Sequence, residues 1–250
     1  MSHEIETMAY AGETPWHGLG NPVSNNMTPE EMLVAADLNW TVSKRQAYTL
    51  DNPNCLNLLD PRSEANFLRC DGNYFLTRDS DNKILSPCGE GYVPFQNHQV
   101  LDFFKKFTEA GNMQMETAGS LKAGKDIWGL AKLNQKYELA GNDEVGGYLL
   151  VNNSHTVGKA MTIMFTPIRV VCNNTLTLAL NQVGAKFRVV HLQMFDEEIK
   201  KAAEESLGLS GVQMTQFKEQ SEYLSSKKYK TGSLENFVAD LFQPTLLADR

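Results

Sequence analysis

The sequence predicts an α+β protein in which an antiparallel or mixed sheet of long hairpins packs against helices and is followed by a C-terminal helical tail. Two observations carry this prediction. Two segments of strand length, Met113–Leu121 and Asp126–Leu133, are separated by a short turn containing glycine and lysine, which is typical of a hairpin. After His191 the composition changes to charged residues that favour helices. With 250 residues, 42% of them hydrophobic, the chain can bury a core without disulfides or metals.

The first elements along the chain are an irregular arm and a capped helix. Residues 1–27 are predicted to be irregular because proline and glycine recur through them. A helix is predicted to begin after Thr28, whose hydroxyl suits the N-cap position. Pro29 suits the first helical position, and Glu31 completes a capping box.

A small antiparallel sheet and a second helix are predicted next. A tendency of apolar and polar residues to alternate indicates strands at Trp40–Leu50, Asn73–Thr77 and Gly91–Phe95. Apolar residues at helical spacing then indicate an amphipathic helix over His98–Ala110, which Gly111 would end.

The predicted hairpin is followed by further strands, a helix and the tail. Strands are predicted at Gly147–Asn152 and Ala160–Phe165, and Asn173–Thr175 would cap a helix that runs through Leu180. Three charged helices follow, at Asp196–Leu207, Val212–Ser225 and Ser233–Phe242. We therefore divide the chain into a core domain of residues 1–195, with residues 1–27 as its N-terminal arm, and a helical region of residues 196–250.

Composition argues against several classes of protein. No apolar run approaches the roughly 18–20 residues that span a bilayer, and the N-terminus carries glutamates where a signal peptide carries basic residues. The four cysteines form no C-x-x-C pair. We therefore expect a cytoplasmic protein with reduced thiols, no metal, no cofactor and no membrane contact.

The net charge of −7 is unevenly distributed along the chain. The first 60 residues hold eight acids against Lys44 and Arg45, whereas residues 145–195 hold no Asp or Glu. The cations of this acid-free segment are Lys159, Arg169, Lys186 and Arg188. A local excess of basic residues is typical of a phosphate-binding surface. The alternative is that buried strands leave little room for acids.

Residues 119–125 match the first seven positions of a P-loop. The eighth position must be Ser or Thr to bind Mg²⁺, and here it is Asp126. Because strand-like residues follow where a helix should begin, we interpret the motif as the turn of a hairpin.

A second candidate site is a small-molecule pocket around Cys172. This residue precedes Asn173 and Asn174 at the predicted start of a helix, where the helix dipole favours a thiolate. Together with His155 it could form a Cys/His/Asn nucleophilic site. The alternative is a buried cysteine with a structural role only.

Two segments carry aromatic residues beside glycines or lysines. Trp16 and His17, followed by Gly18 and Gly20, could stack on a base or close a pocket. The alternative is an arm that anchors its tryptophan in the core. Lys227–Lys230 alternates bases with an aromatic residue, which is typical both of a stacking surface and of a solvated loop.

Five segments resemble, in sequence order, a family of phage/plasmid-like proteins described as domain of unknown function 932. They are Met8–Gly20, Glu116–Leu121, Asp126–Leu133, Tyr148–His155 and Pro167–Leu176. The resemblance implies a mobile genetic element and the cytoplasm of a bacterial host, and it implies no reaction and no catalytic residues. Family members are often longer, so we expect further residues after Arg250.

The order of the elements is also similar, at the level of fold, to single-strand annealing recombinases. Those proteins assemble into rings or filaments and hold the phosphate backbone in a basic groove. This similarity concerns architecture, and fold does not imply function.

The leading functional hypothesis is a non-enzymatic protein that binds or anneals single-stranded DNA in recombination or replication, as a homo-oligomer. Lys159, Arg169, Lys186 and Arg188 would contact phosphates, with Tyr148, Trp16 and His17 beside the bases. One alternative is a factor that binds a host or phage protein, whose acidic surface imitates DNA. The other is an enzyme that uses His17, or Cys172 with His155.

Overall fold

The computed structural model describes residues 3–50, 67–139, 143–182 and 185–207. Within these ranges the chain forms two sheets and five helices, which confirms the α+β class. The strands are β1 (Ile5–Ala11), β2 (Asn21–Val23), β3 (Val42–Leu50), β4 (Phe67–Arg78), β5 (Lys83–Gly89), β6 (Met113–Leu121), β7 (Asp126–Leu139), β8 (Asp143–Ser154), β9 (Met161–Thr166) and β10 (Lys186–Val189). The helices are α1 (Pro29–Ala35), α2 (Asn97–Asp102), α3 (Lys105–Glu109), α4 (Asn173–Asn181) and α5 (Glu197–Leu207).

Seven strands form one mixed sheet in the order β10-β9-β8-β7-β6-β1-β2. From β6 to β10 each strand pairs antiparallel with the next one in the chain. The predicted hairpin of Met113–Leu121 with Asp126–Leu133 is confirmed, and its second strand continues to Leu139. The last strand, β10, was not predicted.

The prediction of an irregular N-terminal arm is wrong for residues 5–11 and 21–23. β1 pairs antiparallel with β6 inside the large sheet, and β2 pairs parallel with β1. The two strands can approach because Gly20 has no side chain, since a Cβ there would lie 2.4 Å from the Cγ of Met8. Gly20 also has a φ of +101°, which L-residues with side chains rarely adopt.

The three-stranded sheet has the order β3-β4-β5 and is antiparallel throughout. The predicted strands at Trp40–Leu50 and Asn73–Thr77 are confirmed within β3 and β4. The strand predicted at Gly91–Phe95 is wrong, because the third strand is Lys83–Gly89 and residues 91–95 lead into α2. Tyr92 and Phe95 produced the strand-like pattern because both side chains are buried in the core.

The helix α1 begins with the predicted capping box. The Thr28 hydroxyl accepts a hydrogen bond from the Glu31 backbone N–H at 3.1 Å, and the Glu31 carboxylate accepts one from the Thr28 backbone N–H at 2.8 Å. The helix predicted over His98–Ala110 is interrupted at Phe103 and Phe104, so that α2 and α3 are separate helices.

The remaining predicted helices lie in the C-terminal third of the chain. α4 follows Cys172, which takes the N-cap position one residue before the predicted cap. α5 falls within the predicted Asp196–Leu207. The predicted helices Val212–Ser225 and Ser233–Phe242 lie outside the described residues, and the division of the chain at residue 195 stays a prediction. No helix in the described ranges is long and apolar enough to cross a membrane.

Both faces of the seven-stranded sheet are buried. On one face, which we call the helical face, apolar side chains such as Ile127, Leu149 and Ile163 pack in a cluster with residues of α1, α2, α5 and the smaller sheet. On the opposite face, which we call the α4 face, Trp128 and Leu150 pack against the segment that leads into α4. Successive residues of β7 to β9 therefore alternate between two cores.

Candidate functional site

Four basic residues gather at one end of the seven-stranded sheet. Lys122 and Lys125 lie in the turn between β6 and β7, and Lys159 lies in the loop between β8 and β9. Arg188 lies at the same end because it pairs across β10 and β9 with Thr162, which is three residues after Lys159. We call Lys122, Lys125, Lys159 and Arg188 the basic end.

The two loops of the basic end are joined by the backbone. The His155 N–H donates to the Lys125 carbonyl at 2.7 Å, so the β6–β7 turn and the start of the β8–β9 loop lie side by side. Each loop contains a Gly-Lys pair, and both glycines, Gly124 and Gly158, have positive φ values. The P-loop-like motif is therefore a hairpin turn, as the sequence predicted.

Asp126 is the carboxylate that balances part of this charge. The Lys122 ammonium lies 3.1 Å from one Asp126 oxygen, and the Lys159 ammonium lies 3.2 Å from the other. Burial opposes ionisation of Asp126, but a hydrogen bond from Ser154 and the two ammonium groups outweigh it and hold its pKa below the usual range. Lys159 and Lys122 nevertheless remain 50% and 37% exposed.

Of the other predicted phosphate contacts, Arg169 and Lys186 have partners inside the protein. The Arg169 guanidinium forms an ion pair with Glu116 and donates to the Ala11 carbonyl at 2.7 Å. The Lys186 ammonium donates to the Leu180 carbonyl at 2.7 Å. Arg188 is exposed. The acid-free segment thus contributes cations to the surface and to the interior.

The predicted aromatic contacts differ in exposure. Tyr148 is buried on the α4 face, where burial raises the pKa of its hydroxyl. Trp16 is 69% exposed, and its ring packs edge-on against His17. The tryptophan is therefore not anchored in the core, which was the alternative interpretation of this segment.

His17 connects the N-terminal segment to the residues around Cys172. Its Nδ1 accepts from the Leu19 N–H at 3.0 Å, so Nε2 carries the proton and donates to the Val171 carbonyl at 3.0 Å. The Asn173 N–H donates to the His3 carbonyl at 3.0 Å, and the rings of His3 and His17 are 6.0 Å apart.

Cys172 is buried, with 1% of its surface exposed, and its backbone N–H donates to the Thr175 hydroxyl. Asn173 and Asn174 begin α4 beside it. His155 lies on the helical face instead, where its ring packs 5.4 Å from that of Trp40. The structure therefore brings His17 near Cys172 but does not bring His155 to it.

The predicted Lys227–Lys230 segment lies outside the described residues. Two surface pockets lie on the helical side of the molecule, and none of the predicted site residues lines either. Among the described residues, no three His, Cys, Asp or Glu side chains are grouped as a metal site would require.

Lys122 and Lys125 were not predicted as site residues. The sequence shows them in a motif rejected as a P-loop, and only the pairing of β7 with β8 brings that turn beside Lys159. A Gly-Lys pair in each of two loops, at 124–125 and 158–159, was the available signal.

Comparison with known proteins identifies one family. The family model described as a domain of unknown function, DUF932, matches residues 84–249, about two thirds of the chain. No curated protein and no solved structure in the comparison matches it.

Proposed function

The chain belongs to the DUF932 family, whose description specifies no reaction, and we propose that it is a non-enzymatic protein that holds single-stranded DNA at its basic end. In this proposal it assists recombination or replication of a phage or plasmid, in the bacterial cytoplasm and as a homo-oligomer.

The observation that supports the proposal most is the pair of adjacent Gly-Lys loops. Lys125 and Arg188 are exposed, and Lys159 is half exposed. In the described residues these cations pair with one carboxylate, Asp126, which is buried beneath them, while Glu6 beside the β6–β7 turn pairs with Arg78 instead. A surface with more cations than acids attracts phosphates and releases counterions when it binds them.

The dimensions of the basic end also fit an extended strand. Its cations lie between β6 and β10, which is four strand spacings, or roughly 19 Å at about 4.8 Å each. That length accommodates several nucleotides, since successive phosphates of a duplex strand rise by about 3.4 Å.

Trp16 offers a stacking surface close to this end of the sheet. His17 lies beside His3, and the carbonyl of the next residue, Glu4, accepts from the Lys122 N–H at 3.0 Å. Stacking of a base on an exposed aromatic ring contributes about 1–3 kcal/mol without sequence preference. Tyr148, Arg169 and Lys186 have no place as surface contacts in the proposal, because each is engaged inside the protein.

The test is fluorescence anisotropy with a labelled single strand of about 30 nucleotides over a salt series. Three to four phosphate contacts predict a slope of log K against log salt between about −2 and −3, at about −0.7 per contact. Replacing Lys125, Lys159 and Arg188 with glutamine should weaken binding and flatten the slope.

The matched control carries three similar changes on helices, at Lys105, Lys106 and Lys201. These side chains are 48%, 71% and 76% exposed, so their loss should change folding little. An equal loss of affinity in both variants would mean that net charge, and not the basic end, determines binding. No binding by the native chain at low salt would refute the proposal.

A second candidate is a factor that binds another protein. The segment after Arg188 exposes three large apolar side chains, Val190, Leu192 and Met194, at 54%, 72% and 67%. Large apolar side chains exposed at alternate positions of one short segment favour a protein contact. Replacing these three with serine distinguishes the candidates, because it should leave the salt-dependent binding of single-stranded DNA unchanged.

A further inference from the structure

The carboxylate of Glu6 lies beside the turn between β6 and β7, where the proposed phosphate site requires positive charge. A Cβ on Gly124, in this turn, would lie 3.3 Å from one Glu6 oxygen. The Ser120 hydroxyl, two residues before Lys122, donates to the same oxygen at 3.1 Å. An ionised carboxylate at this place would repel a bound phosphate unless another charge compensates for it.

Arg78, the last residue of β4, supplies the compensating charge. Its Nη1 and Nη2 groups donate to the two Glu6 oxygens, both at 3.0 Å, which is a bidentate pair. Its Nε and Nη2 groups donate to the two oxygens of Asp81, at 3.0 Å and 2.7 Å. The hydrogen bond from Arg78 lowers the pKa of the Asp81 carboxyl to about 2. One guanidinium therefore neutralises carboxylates from two different elements.

The indole of Trp40 and the β6–β7 turn enclose this guanidinium. Only 10% of the Arg78 side chain is exposed, and its Cζ lies 5.2 Å from the centre of the Trp40 ring. The contact with the turn is direct, because a Cβ on Gly124 would lie 2.8 Å from Nη1 of Arg78. The three-stranded sheet, through Arg78, thus supports the turn of the large sheet that carries two cations of the basic end.

The position of Lys125 depends on this support. Lys125 follows Gly124 directly, so a shift of the turn at Gly124 moves Lys125 with it. On the other side of the turn the Lys122 N–H donates to the Glu4 carbonyl at 3.0 Å, just before β1. Loss of Arg78 removes one of these two contacts, and the turn should then open more easily.

We propose that Arg78 is a positioning residue of the phosphate site: it holds the turn that carries Lys125 and prevents the Glu6 carboxylate from repelling phosphate. The inference rests on the proposed function, because it assigns a role in the same site. Arg78 is not itself a phosphate contact, since it is buried and four of its N–H groups already donate to carboxylates.

A purely structural ion pair is the alternative, and the two roles differ in the sign of one effect. Breaking a largely buried ion pair destabilises the fold whichever partner is replaced. If the pair also screens the phosphate site, replacement of Arg78 should weaken DNA binding, whereas replacement of Glu6 should strengthen it. Opposite changes in affinity, with stability lowered in both variants, therefore identify the proposed role.

The test measures binding of the full chain to the labelled single strand described above, at low salt. Arg78→Gln should weaken binding roughly tenfold, which is the scale of Coulomb interactions near a protein surface. Glu6→Gln should strengthen binding, and in the double variant it should recover much of the affinity that Arg78→Gln loses. Urea unfolding of the same samples should show that both single variants are less stable than the native chain.

The matched control is Arg45→Gln, which makes the same change of net charge in the same three-stranded sheet. Arg45 is 50% exposed and pairs with Asp79 at 3.4 Å. Its replacement should change the affinity by less than about twofold, because an exposed ion pair contributes little. Amide hydrogen exchange gives a second measurement, in which residues 119–128 should exchange faster in Arg78→Gln than in Arg45→Gln.

The inference is overturned if Arg78→Gln binds the strand as tightly as Arg45→Gln does, or if Glu6→Gln weakens binding. Should Arg78→Gln fail to fold, the sign of the Glu6→Gln effect decides. If the native chain binds no single strand, the proposed function fails, and hydrogen exchange then tests the support of the turn separately. Equal exchange of residues 119–128 in Arg78→Gln and Arg45→Gln would show that Arg78 does not hold the turn.

Discussion

The two faces of the seven-stranded sheet are equally buried but differ in how their polar groups are satisfied. On the α4 face the Thr117 hydroxyl donates to the Val170 carbonyl at 2.6 Å and accepts from the indole N–H of Trp128 at 3.1 Å. On the helical face His155, His191 and Asn153 each keep one unpartnered atom. Buried polar groups normally find partners, and those described on the α4 face find them within the protein, whereas three atoms on the helical face do not.

The largest effect that tests this comparison is expected at Arg169. Arg169→Leu leaves Glu116 without its ion-pair partner at 12% exposure, which should cost about 3 kcal/mol of unfolding free energy. Urea unfolding measures this loss. The double variant Arg169→Leu with Glu116→Leu should recover much of it, since no charge is then left unpaired. Normal stability of Arg169→Leu together with lost DNA binding would make Arg169 a surface contact after all.

The next largest effect comes from removing one buried polar side chain on each face and comparing the losses of stability. Thr117→Val leaves both the Trp128 N–H and the Val170 carbonyl without a partner and should cost about 2 kcal/mol. Asn153→Leu leaves only the Phe95 carbonyl unpaired and should cost about 1 kcal/mol. Equal losses would mean that the helical face is as fully satisfied as the α4 face, with ordered water as the missing partner.

The pH dependence of the unfolding free energy tests a third buried polar group, the carboxylate of Asp126, which has partners. Its pKa is lower in the folded chain than the ordinary value of 3.8. Its ionised form therefore stabilises the fold above about pH 4, and this contribution is lost as pH falls through the folded-state pKa. Asp126→Asn should lower the unfolding free energy at pH 7 and have a smaller effect at pH 3. A deficit that does not shrink at pH 3 would contradict this assignment.

The smallest effect on stability is expected at the surface. Lys125→Gln should change the unfolding free energy by less than about 0.5 kcal/mol, because the side chain is exposed. The same change should measurably weaken binding of single-stranded DNA. A large loss of stability would place Lys125 among the structural residues, with Arg169.

Local sequence signals predicted the elements whose structure depends on near neighbours. The capping box of α1 and the bounds of β6 follow from residues within a few positions of each other. β1 was missed because its residues Ile5–Ala11 lack alternation, and they lack it because both faces of the sheet are buried. Its pairing with β6 joins residues more than 100 positions apart, which no local pattern reveals.

The candidate site could be predicted only in part, for the same reason. The excess of basic residues in 145–195 indicated cations, but in strands buried on both sides the sequence does not tell which side chains reach solvent. Lys159 and Arg188 do, whereas Arg169, in the segment between β9 and α4, is engaged by Glu116 of β6. The unpartnered buried atoms of Asn153, His155 and His191 could not be predicted either, because these residues and their partners come from three separate parts of the chain.

The position of β1 inside the large sheet has a consequence for synthesis of the protein. Thr7 and Ser120, which share a hydrogen bond between these strands, are 113 residues apart. At translation rates of about 5–20 residues per second, β1 leaves the ribosome about 6–23 s before β6 can pair with it. During that interval the apolar residues Met8 and Tyr10 have no sheet to join. Completion of the fold is therefore coupled to the emergence of the central hairpin. Chaperones that recognise nascent chains can bind the apolar residues of β1 before that hairpin appears.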